Sequence, residues 1–154
     1  MKIYTAAANA PFLGAFNHLA ILGATRAANG ASDFTDADTS QTITLETPAD
    51  GDIVTYPGAL AYTKIAFTGT SLTAVTLDVG FDGGEEFLKD GAMFAKNARI
   101  APLSTLAPKI FTGAILLTAK VDTTGANLSA ITAGEIWIYY NIVRLRDVLT
   151  DRVA

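Results

Sequence analysis

The sequence predicts an all-β fold, a jelly-roll-like β-sandwich over residues 41–154 that follows an extended N-terminal arm over residues 1–40. From residue 41 onward, short segments rich in β-branched and aromatic residues alternate with clusters of Gly, Pro, Asp and Asn. No long stretch shows the 3.6-residue period of an amphipathic helix. The connections are longer than in a simple meander, which favours strands that cross between two sheets.

The N-terminal segment, residues 1–40, is rich in Ala, Asn and Gly and has no sustained period. At most one short helix is predicted, because glycines interrupt four apolar residues at helical spacing, which are Phe12, Phe16, Leu19 and Leu22. Two interpretations stay open: an arm that reaches a neighbouring subunit, and a strand with a loop that packs on its own domain. The unbroken apolar stretches of a secretion signal or a membrane span are absent, so we expect a soluble protein without a membrane partner.

Six segments have the composition of strands, and they cover residues 41–46, 52–56, 59–67, 71–80, 110–121 and 135–143. Pro57 and Gly58 predict a turn between the second and the third segment. Turns are also predicted over residues 81–86 and 122–125, a short element over 87–91, and a loop or a short irregular strand over 102–108. Alternation in the third segment predicts two faces, with Ala61, Ile65 and Phe67 on one and Tyr62 and Lys64 on the other.

The last segment, residues 135–143, has β-branched or aromatic residues at nearly every position. Such a strand is typical of a position that is covered on both sides. We therefore predict that it is central in its sheet and that its outer side meets another subunit.

Composition and charge exclude several classes of function. Hydrophobic residues make up 50% of the chain and charged residues 17%, against a usual charged share of about 25%. The formal net charge of −4 offers no basic surface for nucleic acid, so no nucleic-acid partner is expected. The absence of cysteine excludes thiol nucleophiles, cysteine-based zinc sites and disulfides.

Motifs for catalysis or cofactor binding are missing. The sole histidine, His18, lies in the least regular part of the chain, and no Gly-x-Ser-x-Gly elbow accompanies it. Neither a dinucleotide-binding glycine motif nor a phosphate-binding loop is present. We predict a protein that is not an enzyme, with no catalytic residue and no cofactor.

An acidic loop is the one segment in which metal chemistry can be argued. Its carboxylates flank the flexible Gly83-Gly84 pair and belong to Asp78, Asp82, Glu85 and Glu86. The EF-hand pattern fails, because Gly80 and Lys89 stand where ligands are required. We predict a solvated turn and no metal site, with a Ca²⁺ site of another kind as the alternative. A glycosidase pair of Glu85 and Glu86 is disfavoured, because adjacent strand residues point to opposite faces.

Aromatic residues near the C-terminus predict a contact surface. Trp137, Tyr139 and Tyr140 suit the core or a subunit interface, with a carbohydrate-stacking platform as the alternative. Arginines and aspartates mix in the final residues, which is typical of a salt-bridged tail at a subunit boundary. The predicted interface residues are Phe12, Phe16, Trp137, Tyr139, Arg144 and Arg146.

Three passages resemble bacteriophage capsid decoration (cement) proteins with a jelly-roll fold: FTGTSLTAVTLDVG over residues 67–80, EFLKDGAMF over 86–94, and GEIWIYY over 134–140. The likeness covers a little over half of the chain. It implies a non-enzymatic homotrimer on the outer surface of the capsid in the virion, bound between subunits of the major capsid protein and stabilising the shell. A tail or neck component and a carbohydrate-binding jelly-roll module are the alternatives.

Overall fold

The computed structural model describes residues 1–5, 16–24, 32–101, 109–111 and 115–144. Within these ranges the chain forms strands and one short 3-10 turn over Leu128–Ala130, which confirms the all-β prediction. No helix in the described part is long and apolar enough to cross a membrane. The strands are β1 (Lys2–Thr5), β2 (His18–Gly23), β3 (Ser40–Glu46), β4 (Ile53–Gly69), β5 (Ala74–Phe81), β6 (Leu88–Ala92), β7 (Arg99–Ile100), β8 (Lys109–Ile110), β9 (Leu117–Thr124) and β10 (Ile131–Val143).

The strands form two sheets, and every described pairing is antiparallel. The six-stranded sheet has the order β1-β2-β10-β4-β7, with β8 also beside β4, and the four-stranded sheet has the order β3-β9-β5-β6. The chain changes sheets six times, between β2 and β3, β3 and β4, β4 and β5, β6 and β7, β8 and β9, and β9 and β10. The predicted sandwich of two sheets joined by crossing connections is therefore confirmed.

The core lies between the sheets and is built by alternation along the strands. In β5, Val75, Leu77 and Val79 face inward and are buried, and β9 and β10 continue the pattern. Each buried aliphatic side chain of this size stabilises the fold by about 1.5–3 kcal/mol. An aromatic cluster closes one part of the core, where Phe81 packs edge-on against Phe87 at 5.1 Å and Phe111 at 4.9 Å between ring centroids.

The predicted turn at Pro57-Gly58 is wrong, because β4 is one continuous strand of 17 residues. Tyr140 pairs with Ala59 and Ile142 pairs with Val54, so residues 55–58 of β4 lie opposite Asn141 alone. The extra residues form a bulge. Proline lacks the N–H that a regular ladder needs, and a bulge is one of the few places in a sheet that accepts it.

The prediction that Ile65 shares a face with Ala61 and Phe67 is also wrong, because those two residues are buried and Ile65 is exposed. Thr63 lies opposite Ile136 and Ile65 lies opposite Glu135, so β4 advances two residues while β10 advances one. Lys64 is the extra residue on β4 at this irregularity, and Ile65 after it faces outward, where it is 46% exposed. Thr63 is buried, and its hydroxyl donates to the Met93 carbonyl at 2.8 Å.

The strand predicted over residues 110–121 begins later and ends later. β9 starts at Leu117 and continues through Asp122 to Thr124, so the predicted turn shortens to the region of Gly125. Pairing explains the extension, because Asp122 lies opposite Thr76 of β5 and opposite Ser40 of β3. The loop or short irregular strand predicted over residues 102–108 lies outside the described residues.

Part of the N-terminal segment belongs to the six-stranded sheet. Residues 18–23 form β2 rather than a helix, and Ala20 and Leu22 are fully buried. Asn17 ties the start of β2 to β10: its side chain accepts from the backbone N–H of Ile142 at 3.0 Å and donates to the carbonyl of the same residue at 2.8 Å. Residues 18–23 thus pack on their own domain. β1 pairs with β2 in the same sheet, so an arm that reaches a neighbouring subunit stays a prediction for the part of residues 1–40 outside the described ranges.

We expect Gly134→Ala to lower the free energy of unfolding by about 3 kcal/mol. Gly134 has a φ of +148°, and an added Cβ would collide with the ring of Phe67. Strain and overpacking therefore act together. Urea unfolding followed by the fluorescence of the sole tryptophan, Trp137, measures the loss.

Gly83→Ala is the matched control, with an expected loss of about 1 kcal/mol. Gly83 also has a positive φ, +87°, but the nearest atom to an added Cβ is 3.7 Å away, on Thr42. This variant therefore carries the backbone strain without the collision. Equal losses for the two variants would show that the contact with Phe67 has no role.

Candidate protein interaction surface

The outward side of β10 carries large aromatic residues. Trp137 and Tyr139 alternate with buried residues and are only partly buried. Pairing places Trp137 between Ile21 of β2 and Tyr62 of β4, and Tyr139 in the same way between two leucines. The ring of Phe16 also contacts Tyr139, at 5.9 Å between centroids. We call this surface the aromatic face; its members are Phe16, Leu19, Ile21, Leu60, Tyr62, Trp137 and Tyr139.

The rings of the aromatic face meet edge to face. Trp137 lies 6.4 Å from Tyr62 at an interplanar angle of 73°, and 6.4 Å from Tyr139 at 66°. Such pairs contribute about 0.5–1.5 kcal/mol each beyond the area that they bury. Burial and the neighbouring Tyr62 raise the pKa of Tyr139. The rings form an interlocked surface and not a flat row of parallel rings.

The polar atoms of the Trp137 and Tyr62 rings are bonded within the chain. The indole N–H of Trp137 donates to Glu135 Oε1 at 2.6 Å, and the hydroxyl of Tyr62 donates to Asn97 Oδ1 at 2.6 Å. Because these donors are satisfied, what the aromatic face presents to a partner is mainly apolar ring surface.

Two cations border the aromatic face and lie over its rings. Lys64 Nζ is 5.3 Å from the ring centroid of Trp137, and Arg99 Cζ is 5.5 Å from that of Tyr62. Both distances fall within the range of a cation–π interaction, worth about 0.5–1 kcal/mol at an exposed site. These contacts hold two flexible side chains in place around the rings.

The outer side of the four-stranded sheet is different in kind. Its outward residues are polar or charged and include Thr42 and Thr44 of β3, Thr76 of β5, and Lys120 and Asp122 of β9. Antiparallel sheets commonly have one face on the core and a polar face in water. The four-stranded sheet follows this pattern, whereas the aromatic face departs from it.

The predicted interface residues have different positions in the structure. Phe16, Trp137 and Tyr139 belong to the aromatic face. Arg144 pairs with Glu46 at 3.3 Å, and both are half-buried, so Arg144 joins β10 to β3. Phe12 and Arg146 lie outside the described residues. For Tyr140 the sequence left the core and a subunit interface open, and the structure places this residue fully buried in the core.

Sequence reasoning missed several members of the surface. The alternation in residues 59–67 did place Tyr62 and Lys64 on one face, as observed, but nothing marked that face as adjacent to Trp137. Arg99 is in a strand of only two residues, which carries no alternation to detect. Pairing across β2, β10 and β4 creates this surface.

Three carboxylates meet on the four-stranded sheet, beside the predicted acidic loop. Ligand oxygens of Asp78, Glu85 and Asp90 lie within 4.8 Å of one another. Lysines already lie against two of them: Lys89 is 2.6 Å from Glu85, and Lys120 is 3.9 Å from Asp78. Asp78 also accepts from the backbone N–H of Asp90 at 2.6 Å. Burial raises the pKa of Asp78, and this hydrogen bond acts in the opposite direction.

The other two carboxylates of the loop hold its backbone. Asp82 accepts from the N–H of Leu116 at 2.9 Å, and Glu86 accepts from the N–H of Phe81 at 2.9 Å. Asp82 and Glu86 therefore shape the turn. Glu85 and Glu86, the pair considered for a glycosidase, have separate partners: Glu85 pairs with Lys89, and Glu86 accepts from the backbone of its own loop.

The sole histidine lies in the core rather than in a cleft. His18 is 2% exposed, and its ring stacks on Tyr140 at 5.1 Å between centroids and an interplanar angle of 16°. Its Nδ1 contacts Asn17 Oδ1 at 2.6 Å. Burial and then the positive charge of Arg144 lower the pKa of His18 to about 4, so the ring is neutral at pH 7.

Comparisons with known proteins add little to this picture. No protein-family model and no curated protein matches the chain. Among solved structures, a chain of the structure titled "Cyanophage Pam1 capsid asymmetric unit" is similar, with 16% sequence identity and a TM-score of 0.48 over 80% of this chain and 81% of that chain.

Lowering the pH from 7 to 5 is expected to cost about 2 kcal/mol of unfolding free energy through His18 alone. The pKa is about 4 in the folded chain against an ordinary value of 6.5, so in this range the unfolded chain binds a proton that the folded chain does not. The contribution of the neutral His18 ring to the free energy of unfolding is complete above the pKa of the unfolded chain, 6.5, and is lost as the pH falls toward the folded pKa of about 4. Urea unfolding at pH 7, 6 and 5 measures it.

The variant His18→Gln provides the control, because it keeps every carboxylate and removes the titrating ring. The stability difference between the original chain and the variant should shrink as the pH falls. A difference that stays constant from pH 7 to pH 5 would contradict the lowered pKa of His18.

Proposed function

We propose that this protein is a non-enzymatic structural protein of the virion, a bacteriophage capsid decoration (cement) protein that packs against its neighbours through the aromatic face. The observation that carries the proposal is the contrast between the two outer surfaces of the sandwich. Protein interfaces concentrate aromatic residues and arginine at their centres and deplete most charged residues there. The aromatic face has this composition, with Lys64, Arg99 and Glu135 at its border.

The strand order supports the jelly-roll assignment that the sequence resemblance implies. Eight strands, from β2 to β7 together with β9 and β10, divide equally between the sheets as β2-β10-β4-β7 and β3-β9-β5-β6. Two four-stranded sheets joined across their ends are typical of a jelly roll. In this assignment β1 and β8 are additions to the six-stranded sheet.

The proposed partner is the major capsid protein, and the proposed site lies between its subunits on the outer surface of the capsid. This assignment comes from the resemblance of residues 67–80, 86–94 and 134–140 to decoration proteins. The low share of charged residues, 17%, supports it, because few ionic groups must lose water on contact. The charged side chains at the border of the aromatic face would lie at the solvated rim of the contact.

The assembly state that we propose is a homotrimer. A cyclic trimer uses a contact between two different patches of each chain, repeated by a threefold axis. The aromatic face supplies one surface suited to such contacts with another copy or with the shell. The part of residues 1–40 outside the described ranges is the candidate for an arm that reaches a neighbour.

We expect Trp137→Ala and Ile65→Asp each to weaken binding to capsid shells by about thirtyfold or more. The first removes the largest ring of the aromatic face, and the second places a charge on an exposed position beside it. Shells assembled without this protein would be mixed with each variant and sedimented, and the bound fraction would be measured against concentration.

Thr44→Asp is the matched control for Ile65→Asp. It also replaces an exposed β-branched strand residue with a charge, but on the polar outer side of the four-stranded sheet. Its binding should stay within about threefold of the original. Equal weakening by both aspartates, or no binding of the original chain to shells, would count against the proposal. Binding to isolated tails would favour a tail or neck component, and binding to a glycan array would favour a carbohydrate-binding module.

The homotrimer predicts a particle of three times the chain mass of 16.1 kDa. Size-exclusion chromatography with light scattering, at several protein concentrations, measures this mass directly. A chain that stays monomeric at all concentrations would contradict the trimer, and shell binding would then test the decoration role separately.

A further inference from the structure

Two buried polar atoms at one end of the core have no hydrogen-bond partner among the described residues. They are Nε2 of His18 and the hydroxyl oxygen of Tyr140. His18 is 2% exposed and Tyr140 is fully buried. Buried polar atoms in folded proteins are almost always bonded to protein or to ordered water. Two unsatisfied atoms on neighbouring residues therefore require a physical explanation.

The tautomer of His18 follows from the hydrogen bonds of Asn17. The side chain of Asn17 donates to the carbonyl of Ile142 through Nδ2 and accepts the N–H of Ile142 through Oδ1. These two bonds determine which end of the amide carries the oxygen. Because Oδ1 can only accept, Nδ1 of His18, at 2.6 Å, must carry the proton. Nε2 of the neutral ring is then a bare acceptor.

The two residues that carry these atoms are neighbours on adjacent strands, and their ring centroids are 5.1 Å apart. His18 of β2 and Tyr140 of β10 are directly paired, and their side chains enter the core side by side with stacked rings. Nε2 is the ring nitrogen farther from the backbone, and the tyrosine hydroxyl is at the tip of its side chain. Parallel stacking prevents a direct, well-aligned hydrogen bond between them, since each atom lies in the plane of its own ring.

We propose that Nε2 of His18 and the hydroxyl of Tyr140 form a binding site for one internal water molecule. Water can donate to Nε2 and accept from the hydroxyl in the same position, which satisfies both atoms. The end of the core near this site is polar, because Glu46 and Arg144 pair at 3.3 Å and their charges act on Tyr140. An internal water needs two or more polar partners, and this pair supplies them.

The site would join β2 to β10 at the end where Asn17 already ties them. It would also be sensitive to acid, because a proton on Nε2 turns this acceptor into a donor, so that the water must turn and accept from both groups. The groups that set this sensitivity are Arg144, which disfavours the proton, and Glu46 and Tyr140, which face the same end of the core. This inference does not depend on the proposed role in the virion.

Nitrogen-15 NMR of the histidine ring tests the first step, and the spectrum is simple because the chain has one histidine. The expected result at pH 7 is a proton on Nδ1 and none on Nε2. Nuclear Overhauser contacts from water to the His18 ring and the Tyr140 hydroxyl should show a long-lived internal molecule. A proton on Nε2, or the absence of such water contacts, would overturn the proposal.

A double-mutant cycle with His18→Phe and Tyr140→Phe tests the coupling. Tyr140→Phe alone should lower the folding equilibrium constant about tenfold, because the water loses one partner and Nε2 is left poorly satisfied. In the His18→Phe background the same change should cost less than threefold, because the acceptor is already gone. Additive effects would overturn the proposal, and the NMR measurement on the original chain decides the matter if a variant fails to fold.

Discussion

The position of β10 between β2 and β4 is the constraint on which the rest of the structure depends. Both of its edges are paired, and its alternation assigns Ile136 and Ile138 to the core and Trp137 and Tyr139 to the outer surface. A slip of one residue would exchange the two sets and place aromatic rings in the wrong layer. Core packing therefore also determines the aromatic face.

Both ends of β10 have their own restraint. At one end, Asn17 bonds to the backbone of Ile142 as a strand residue would, and His18 stacks on Tyr140. At the other end, Gly134 admits the ring of Phe67 where a side chain would collide. Between them the register with β4 shifts at several points, and these shifts bring Ile65 outward beside the rings. The aromatic face is therefore held by restraints at both ends of β10 and by its pairing on both edges.

The charged residues of the described part mainly serve local structure. Asp82 and Glu86 bind backbone N–H groups of their own loop, Glu85 pairs with Lys89, and Arg144 joins the two sheets through Glu46. The aromatic face consequently presents mainly ring surfaces and apolar side chains.

The sequence by itself determined the fold class, most strand positions and the two-sided character of residues 135–143, because alternation and turn residues are local signals. It did not reveal the continuity of β4 through Pro57, the outward turn of Ile65 or the extension of β9 to Thr124. Those features depend on the register against strands that are distant in the chain. The aromatic face also belongs to this second group: its residues come from β2, β4 and β10 and from Phe16, and only the tertiary pairing of those strands makes them neighbours.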